Sequence, residues 1–218
     1  MSFDRLAPHY RWLEWVLAGR KLQRCRTAFL DEIGRADATL LVGEGNGRFL
    51  GELLKRPVQG PVTCIDKSGR MLDCARARLR KQGLCTDAIT FIEADILEWS
   101  PPRRRFDLIV THFFLDCFQP GQLESVVSRL SDAAKPQARW LLADFQLPNG
   151  GWQKMRAAWI LALMYWFFRW TTHLPARYLA SPDALLAKSG FILQQRRRFE
   201  WGLLHSDLWI RSEFAGPC

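Results

Sequence analysis

Cysteine is sparse in this chain and follows no pattern. The sequence contains no CxxC pair and no alternation of cysteine and histidine at metal-ligand spacing. The six cysteines are Cys25, Cys64, Cys74, Cys85, Cys117 and Cys218. Scattered single cysteines are typical of reduced thiols, so we expect neither a metal site nor a disulfide framework.

Long hydrophobic runs are also lacking. The longest apolar run covers 157–168 and is bracketed by Arg156 and Arg169, well short of the ~18 residues that indicate a membrane-spanning helix. The opening MSFDRLAPHYRW lacks the basic and then apolar layout of a secretion signal. We therefore expect a cytoplasmic protein that does not cross a membrane, although contact with a membrane surface stays open.

Acidic residues are fewer than basic ones, 22 against 31, which gives a net charge of +9. This excess fits nucleic acid, an anionic membrane surface, acidic substrates or simply a solvated basic surface. The run Arg103–Arg105 follows two prolines, and Arg196–Arg198 falls within a predicted strand whose alternate residues face opposite ways. We interpret both runs as solvated surface and consider nucleic acid an unlikely partner.

The 218 residues, 48% of them hydrophobic, are enough for one α/β domain. Short apolar runs at 38–43, 61–66, 89–94, 106–112 and 138–145 alternate with helical stretches at 10–29, 68–82 and 122–134 and one after the glycine-rich turn that follows the first run. Two further strands meet near Gly202. The pattern predicts a Rossmann-like, doubly wound, seven-stranded sheet, mostly parallel with an antiparallel last strand. We expect a single domain over 1–218, with a cap helix at 1–30 and an insertion at 146–180.

A glycine-rich turn follows the first predicted strand. It consists of Gly43, Glu44, Gly45, Asn46 and Gly47. Glycine allows positive φ and a close approach of the backbone to a ligand at this end of such a sheet. A dinucleotide fingerprint counted from Gly45 would need glycine where Leu50 stands, and Glu44 would repel a pyrophosphate. The turn therefore favours a cationic ligand over a dinucleotide.

Two further acids follow the next two strands. Asp66 ends the second strand, where a carboxylate can accept both hydroxyls of a ribose. Asp95 follows the third strand, where a carboxylate could accept a hydrogen bond from the amine of adenine. Together with the turn, they predict a nucleoside-binding edge of the sheet.

Four segments, VGEGNG, CIDKSGRMLDCA, EADILEW and FDLIVTHFFLDCF, resemble motifs I, post-I, II and IV of class I S-adenosylmethionine (SAM)-dependent methyltransferases. The resemblance spans roughly 38–145 and implies SAM as the cofactor. It further implies that Glu44, Gly45 and Gly47 hold the methionine part of SAM and that Asp66 binds the ribose. The opening FDRLAPHYRWLEW resembles the cap of small-molecule members related to quinone and phospholipid methyltransferases. In these members an aromatic such as Tyr10 closes over SAM.

The resemblance also assigns residues around the adenine. Lys67 and Met71 would flank the ring, and Asp95 with Ile96 would complete its pocket. Thr111, at the end of the fourth strand, would lie under the methionine moiety.

Methyl transfer needs alignment of three atoms and exclusion of water, and a base only where the acceptor must lose a proton. The candidate base is His112, with Asp116 four residues further on and on the same face if the segment is helical. A histidine packed in the core is an open alternative, as is a capping role for Asp116.

The insertion contains GWQKMRAAWILALMYWFFRW, which is apolar on all sides when drawn as a helix. Such a helix is either buried on several sides or in contact with something other than water. A lid over the acceptor, an interfacial membrane helix and a dimer contact all remain open. We expect a methyltransferase acting on a small, lipophilic acceptor. The alternatives are an RNA or protein methyltransferase, or a module that binds SAM or lipid without catalysis.

Overall fold

The structure is a computed structural model that describes residues 19–56, 60–148, 150–172 and 181–213. Within 151–172, side chains are described as far as residue 162. The predicted cap helix therefore falls only partly inside the description, and Tyr10 and His9 lie outside it. The side chain of Tyr165 and all of His173 lie outside it as well.

Strands and helices alternate along the chain in the predicted order. The helices are α1 (Gly19–Arg26), α2 (Arg48–Leu54), α3 (Gly69–Lys81), α4 (Pro120–Ala133), α5 (Gly151–Thr172) and α6 (Asp183–Lys188). The strands are β1 (Thr39–Val42), β2 (Val62–Asp66), β3 (Ile89–Glu93), β4 (Phe106–His112), β5 (Ala134–Phe145), β6 (Phe191–Phe199) and β7 (Leu204–Arg211). Short 3₁₀ turns lie at Leu115–Cys117 and Glu200–Gly202.

The seven strands form one sheet in the order β3-β2-β1-β4-β5-β7-β6. Neighbours from β3 to β5 pair in parallel, whereas β7 pairs antiparallel with both β5 and β6. The predicted fold, including the antiparallel last strand, is confirmed. In register, Val42 lies between Ile65 and Thr111, so the loops after β1, β2 and β4 leave the sheet side by side.

Helices cover both faces of the sheet, because apolar side chains project from the strands on both faces. On the first face, α4 and α6 pack on residues such as Leu40, Ile109 and Trp140. On the second face, α2, α3 and the turns after α1 pack on residues such as Leu41 and Val110. At ~25 cal/mol per Å² of buried apolar surface, these two layers are the main source of folding free energy.

A third, smaller apolar cluster lies at the carboxyl end of β5. Its members are Cys25 of α1, Ala143 of β5, Leu203 and Leu204 at the start of β7, and Ala157 and Leu161 of α5. The insertion is thus attached to the sheet at the edge where the glycine-rich turn lies. None of the helices in the part of the chain described is both long enough and apolar enough to span a membrane.

Two element boundaries differ from the prediction. The fifth strand begins at Ala134 rather than 138, with a register irregularity between Phe106 and Leu108 of β4. Helix α4 begins at Pro120 because proline is favoured in the first helical turn, where no backbone donor is needed.

Candidate functional site

The three glycines of the turn all have positive φ, 67° at Gly43, 65° at Gly45 and 75° at Gly47. A Cβ added to Gly43 would lie 2.2 Å from the Phe114 ring, and one added to Gly47 would lie 2.8 Å from Ala75. A Cβ added to Gly45 would meet nothing within 4 Å. Close packing therefore explains two of the glycines, whereas Gly45 borders open space.

Glu44 lies in the turn but is partly used by its own helix. Its Oε1 accepts hydrogen bonds from the backbone N–H groups of Phe49 (2.8 Å) and Leu50 (3.0 Å). These donors belong to the first turn of α2, which has no partner within the helix for them. Burial raises the pKa of Glu44 to about 7, against the opposing effect of these amides and of Arg26. The acid lies in the turn, as the sequence predicts, and it caps the first turn of α2; its contact with a ligand stays a prediction.

Asp66 links the turn to the end of β2. Its Oδ2 accepts a hydrogen bond from Gly45 N at 2.9 Å, and its Oδ1 accepts one from Ser68 N at 2.9 Å. Burial raises the pKa of this carboxyl group, and the two amides oppose the rise. A carboxylate offers about four acceptor positions, so Asp66 retains capacity for two hydroxyl donors.

The residues assigned to adenine lie around the next loop. Asp95 Oδ2 pairs with Lys67 Nζ at 2.5 Å, and its Oδ1 accepts from Leu97 N at 3.0 Å. Burial opposes ionisation of Asp95, but Lys67 and the Leu97 amide outweigh it and leave its pKa lowered. Met71 and Ile96 are buried beside this loop, 7% and 4% exposed.

Two other predicted residues have their polar groups engaged inside the domain. Thr111 Oγ1 accepts a hydrogen bond from Trp140 Nε1 at 2.8 Å and is fully buried. The carbonyl oxygen of Asn46 accepts one from Arg78 Nε at 2.8 Å. The Thr111 hydroxyl oxygen and the Asn46 carbonyl thus already have partners within the domain.

His112 ends β4 and is 5% exposed. Its ring meets Phe49 edge to face, with 4.6 Å between ring centroids. Neither ring nitrogen has a hydrogen-bond partner among the residues that the structure describes. Burial, and secondarily the nearby Arg26, hold the pKa of His112 well below its usual value, so the imidazole is neutral. An orphaned buried donor and acceptor are costly, and a bound ligand at this edge would relieve that cost.

The expectation that His112 and Asp116 share a face is wrong. The chain between them is not helical, since Phe113 has φ 54° and only a 3₁₀ turn follows. The backbone N–H of Asp116 donates to Asp144 Oδ2 at 3.1 Å, which lies on the opposite face of the sheet from His112. Burial, acting on the two adjacent carboxyl groups, raises the pKa of both, so the pair tends to retain a proton.

The interpretation of Arg196 as solvated surface is also wrong. Its guanidinium donates to both carboxylate oxygens of Asp207, at 2.7 and 2.6 Å, and to Asp183. Asp207 is fully buried and also contacts His205 Nδ1 (3.0 Å) and Trp209 Nε1 (3.3 Å). Arg196 and Asp207 are partners on neighbouring strands, so their opposite charges lie side by side. A search for opposite charges on the same face of the two predicted strands could have found this pair.

Sequence reasoning missed Arg26 and Asp144. Asp144 directly follows the apolar run LLA of β5, and an acid in that position is a usable signal. Arg26 is one of many arginines near the amino terminus, and no sequence pattern distinguishes it from the others.

Part of the chain is similar to a known protein family. Residues 40–137 match a family described as a methyltransferase domain. This part of the chain is similar to that domain, and the whole fold is that of a Rossmann-like methyltransferase. The prediction that the protein is an enzyme with SAM as its cofactor is confirmed. The residues fit that cofactor, because the open space at Gly45 adjoins Asp66 and the turn contains an acid rather than a phosphate-binding nest. Among curated proteins, none matches the sequence.

Several solved structures share the fold. The N-methyltransferase NodS from Bradyrhizobium japonicum WM9, crystallised with S-adenosylhomocysteine, has a TM-score of 0.65 at 16% identity and covers 90% of this chain and 91% of its own. A chain of the Haloferax volcanii complex between the Trm112 activator and a methyltransferase has a TM-score of 0.72 at 12% identity, covering 99% and 98%. Mitomycin 7-O-methyltransferase MmcR has a TM-score of 0.70 at 19% identity, covering 97% and 61%. Likeness at these identities is one of fold.

Proposed function

We propose that the protein transfers a methyl group from SAM to a small, lipophilic acceptor at the carboxyl ends of β4 and β5. The observation that carries this proposal is the third apolar cluster, in which Ala157 and Leu161 of α5 pack over Ala143 and Leu204. The rings of Phe113 and Phe145, 5.3 Å apart, adjoin it. Apolar side chains beside the cofactor edge suit an apolar acceptor and would exclude water from the transfer.

The arginine runs give little support to an RNA acceptor. Arg103 pairs with Asp132, Arg196 with Asp207 and Arg197 with Glu32. Arginines already paired with acids are poorly available for phosphate contacts, which need uncompensated positive charge. The excess of basic residues is therefore compatible with a small-molecule enzyme.

Asp116 and Asp144 are the groups best suited to take a proton from an acceptor that must lose one. Burial raises the pKa of both carboxyl groups, which makes them stronger proton acceptors than exposed carboxylates. His112 accepts a proton poorly, because burial and Arg26 disfavour its charged form. We assign Asp116 the catalytic role, with Asp144 as its positioning partner, and His112 a hydrogen-bonding role at the ligand.

An exposed aromatic surface supports access to acceptors held in a lipid phase. Trp152, Met155 and Trp159 of α5 are 57%, 67% and 77% exposed, and Trp201 is 62% exposed. Trp152 and Trp201 contact each other at 5.5 Å between centroids. Amphipathic tryptophan side chains are typical of interfacial contacts, so we include peripheral membrane contact in the proposed function.

The test is transfer of isotopic methyl from SAM to fractionated cell extract. We expect label in the organic-solvent fraction with the unmodified protein and none with Asp66→Ala, which removes both oxygens that could accept from the ribose hydroxyls. Label mainly in RNA or protein would replace the proposed acceptor class. Saturable SAM binding without any labelled fraction would favour a non-catalytic module.

Asp116→Asn tests the proton acceptor once an acceptor is labelled. The substitution keeps the side-chain volume and removes the base, so we expect the transfer rate to fall by about 10²-fold or more, with SAM affinity unchanged. Glu124→Gln, an exposed acid on α4, is the matched control. An unchanged rate for Asp116→Asn would remove its catalytic role.

A further inference from the structure

Helix α1 presents only basic side chains to solvent. Its exposed residues are Arg20, Lys21 and Arg24, and its sequence, GRKLQRCR, contains no acid. The described side chains of α5, which extend to residue 162, include no acid either, and they add the exposed Lys154. Both helices contribute to the third apolar cluster, so an excess of basic side chains borders the exposed aromatic surface of α5.

The turn between β6 and β7 joins these two helices. Lys21 of α1 pairs with the carboxylate of Glu200, and Arg156 Nη1 of α5 donates to the carbonyl of Glu200 at 3.5 Å. Trp201 follows directly, and its ring contacts that of Trp152 on α5. The basic residues of α1 and the exposed aromatic residues therefore belong to one continuous surface.

The backbone of this turn keeps a tryptophan out of the core. Glu200 has φ 51° and Trp201 has φ 60°, and a left-handed backbone is unfavourable for residues with a side chain. Such strain persists only where surrounding contacts impose it, and it is concentrated at functional positions. Here it accompanies a Trp201 side chain that is 62% exposed. The exposure of this tryptophan is thus set by the conformation of the turn.

The combined surface has the composition of an interfacial membrane helix. Trp152, Met155 and Trp159 recur at i, i+3 and i+7 on the side of α5 opposite the buried Ala157 and Leu161. Tryptophan on an apolar face with lysine and arginine around it suits the interface of an anionic membrane. We infer that this surface binds bilayers of anionic lipid, with the aromatic residues in the interface and the basic residues at the headgroups. The inference rests on the proposed function and narrows its membrane contact to one class of lipid.

The charge and the side-chain types favour this partner over two others. A symmetric dimer through the same surface would place the basic residues of two copies near each other, which is unfavourable. Single-stranded RNA would also meet the arginines and could stack on the tryptophans. Met155 offers no ring for stacking, however, and at 67% exposed it gains from burial among acyl chains.

Vesicle flotation tests the basic part of the surface without SAM and without a methyl acceptor. We expect binding to phosphatidylcholine vesicles to become at least about tenfold tighter when about one third of the lipid is phosphatidylglycerol. Each basic side chain near an anionic surface contributes about fivefold. The double variant Arg20→Gln, Arg24→Gln should therefore weaken binding to the anionic vesicles by about 20-fold. The matched control is Arg103→Gln, Arg105→Gln, two exposed arginines before β4 at the opposite edge of the sheet, and it should change binding by less than about twofold.

Trp159→Ser tests the aromatic part of the surface in the same assay. Trp159 is 77% exposed, so its replacement leaves the core intact. We expect about tenfold weaker binding to vesicles of either composition, because the ring no longer enters the interface. Ile192→Ser is the matched control, since Ile192 is an exposed apolar residue at the start of β6, and it should leave binding unchanged.

The possible results separate the lipid assignment from the proposed enzyme activity. Equal binding to the two kinds of vesicle, equal losses for the α1 variant and its control, or no effect of Trp159→Ser would overturn the inference. Tighter binding of oligouridylate than of anionic vesicles, lost in the α1 variant, would assign the surface to RNA. A dimer that Trp159→Ser converts to a monomer would assign it to a second copy of the chain. Each of these results leaves methyl transfer intact, because the isotopic labelling tests transfer separately.

Discussion

Two polar groups of residues occupy opposite faces of the sheet near its cofactor edge, and they differ in how completely they are paired. On the α6 side, Asp207 is bound by Arg196, His205 and Trp209. On the α2 side, the two ring nitrogens of His112 lack hydrogen-bond partners within the described part of the chain, and burial raises the pKa of Glu44 to about 7. A fully paired network stabilises one conformation, whereas unpaired groups carry a cost that a ligand can relieve. The network around Asp207 is therefore part of the scaffold, whereas His112 and Glu44 belong to the site.

The largest expected loss of stability comes from a substitution in the fully paired group around Asp207. Asp207→Asn leaves Arg196 without the bidentate partner that Asp207 provides, and breaking such a buried pair costs about 3–5 kcal/mol of unfolding free energy. Denaturant unfolding measures this loss. Asp73→Asn, which removes an exposed ion pair with Arg76, is the control and should cost less than about 1 kcal/mol. A small effect of Asp207→Asn would mean that the network is not a stabilising element.

The glycines of the turn should separate folding from binding. Gly43→Ala combines a left-handed backbone with a clash against Phe114, so we expect a loss of about 2–4 kcal/mol in stability. Gly45→Ala has the same backbone strain but no clash, and we expect about 1–2 kcal/mol. Its methyl group enters the open space, so SAM affinity should fall at least tenfold relative to the folded protein. Equal effects of the two variants on binding would contradict the location of the ligand.

Glu44 should give the site a pH-dependent stability. Its folded pKa of about 7 lies above the ordinary value of 4.5, so the folded state binds more protons than the unfolded state between these values. Its stabilising contribution is complete below about pH 4.5 and is lost as pH rises toward 7, by at most ~3 kcal/mol. Glu44→Gln keeps an oxygen that can accept from Phe49 and Leu50 and removes the titration. The free energy of unfolding, measured from pH 4.5 to 8, should therefore fall less steeply with pH in this variant than in the unmodified protein.

The prediction from sequence succeeded where the signal is local. Strand–helix alternation, the glycine turn and the acids Glu44, Asp66 and Asp95 each depend on a residue's own neighbours in the chain, and the structure brings these acids to one sheet edge. Contacts that depend on the exact pairing register of two strands were not predicted in the same way. Asp116, in the 3₁₀ turn after β4, meets Asp144 near the end of β5, and Arg196 of β6 meets Asp207 of β7. Their partners are fixed by register, which a single sequence specifies only weakly.

The smallest expected change in the free energy of unfolding is that of His112→Leu, and its sign shows whether His112 is paired in the folded protein. His112→Leu replaces a buried ring that lacks hydrogen bonds by an apolar side chain of similar volume. Removing unsatisfied buried groups is neutral or stabilising, so we expect the free energy of unfolding to stay unchanged or to rise by up to about 1 kcal/mol. Methyl transfer should nevertheless fall, because the ligand loses a hydrogen-bonding partner. A loss of several kcal/mol instead would show that His112 is paired in the folded protein, and it would then belong with Asp207 as part of the scaffold.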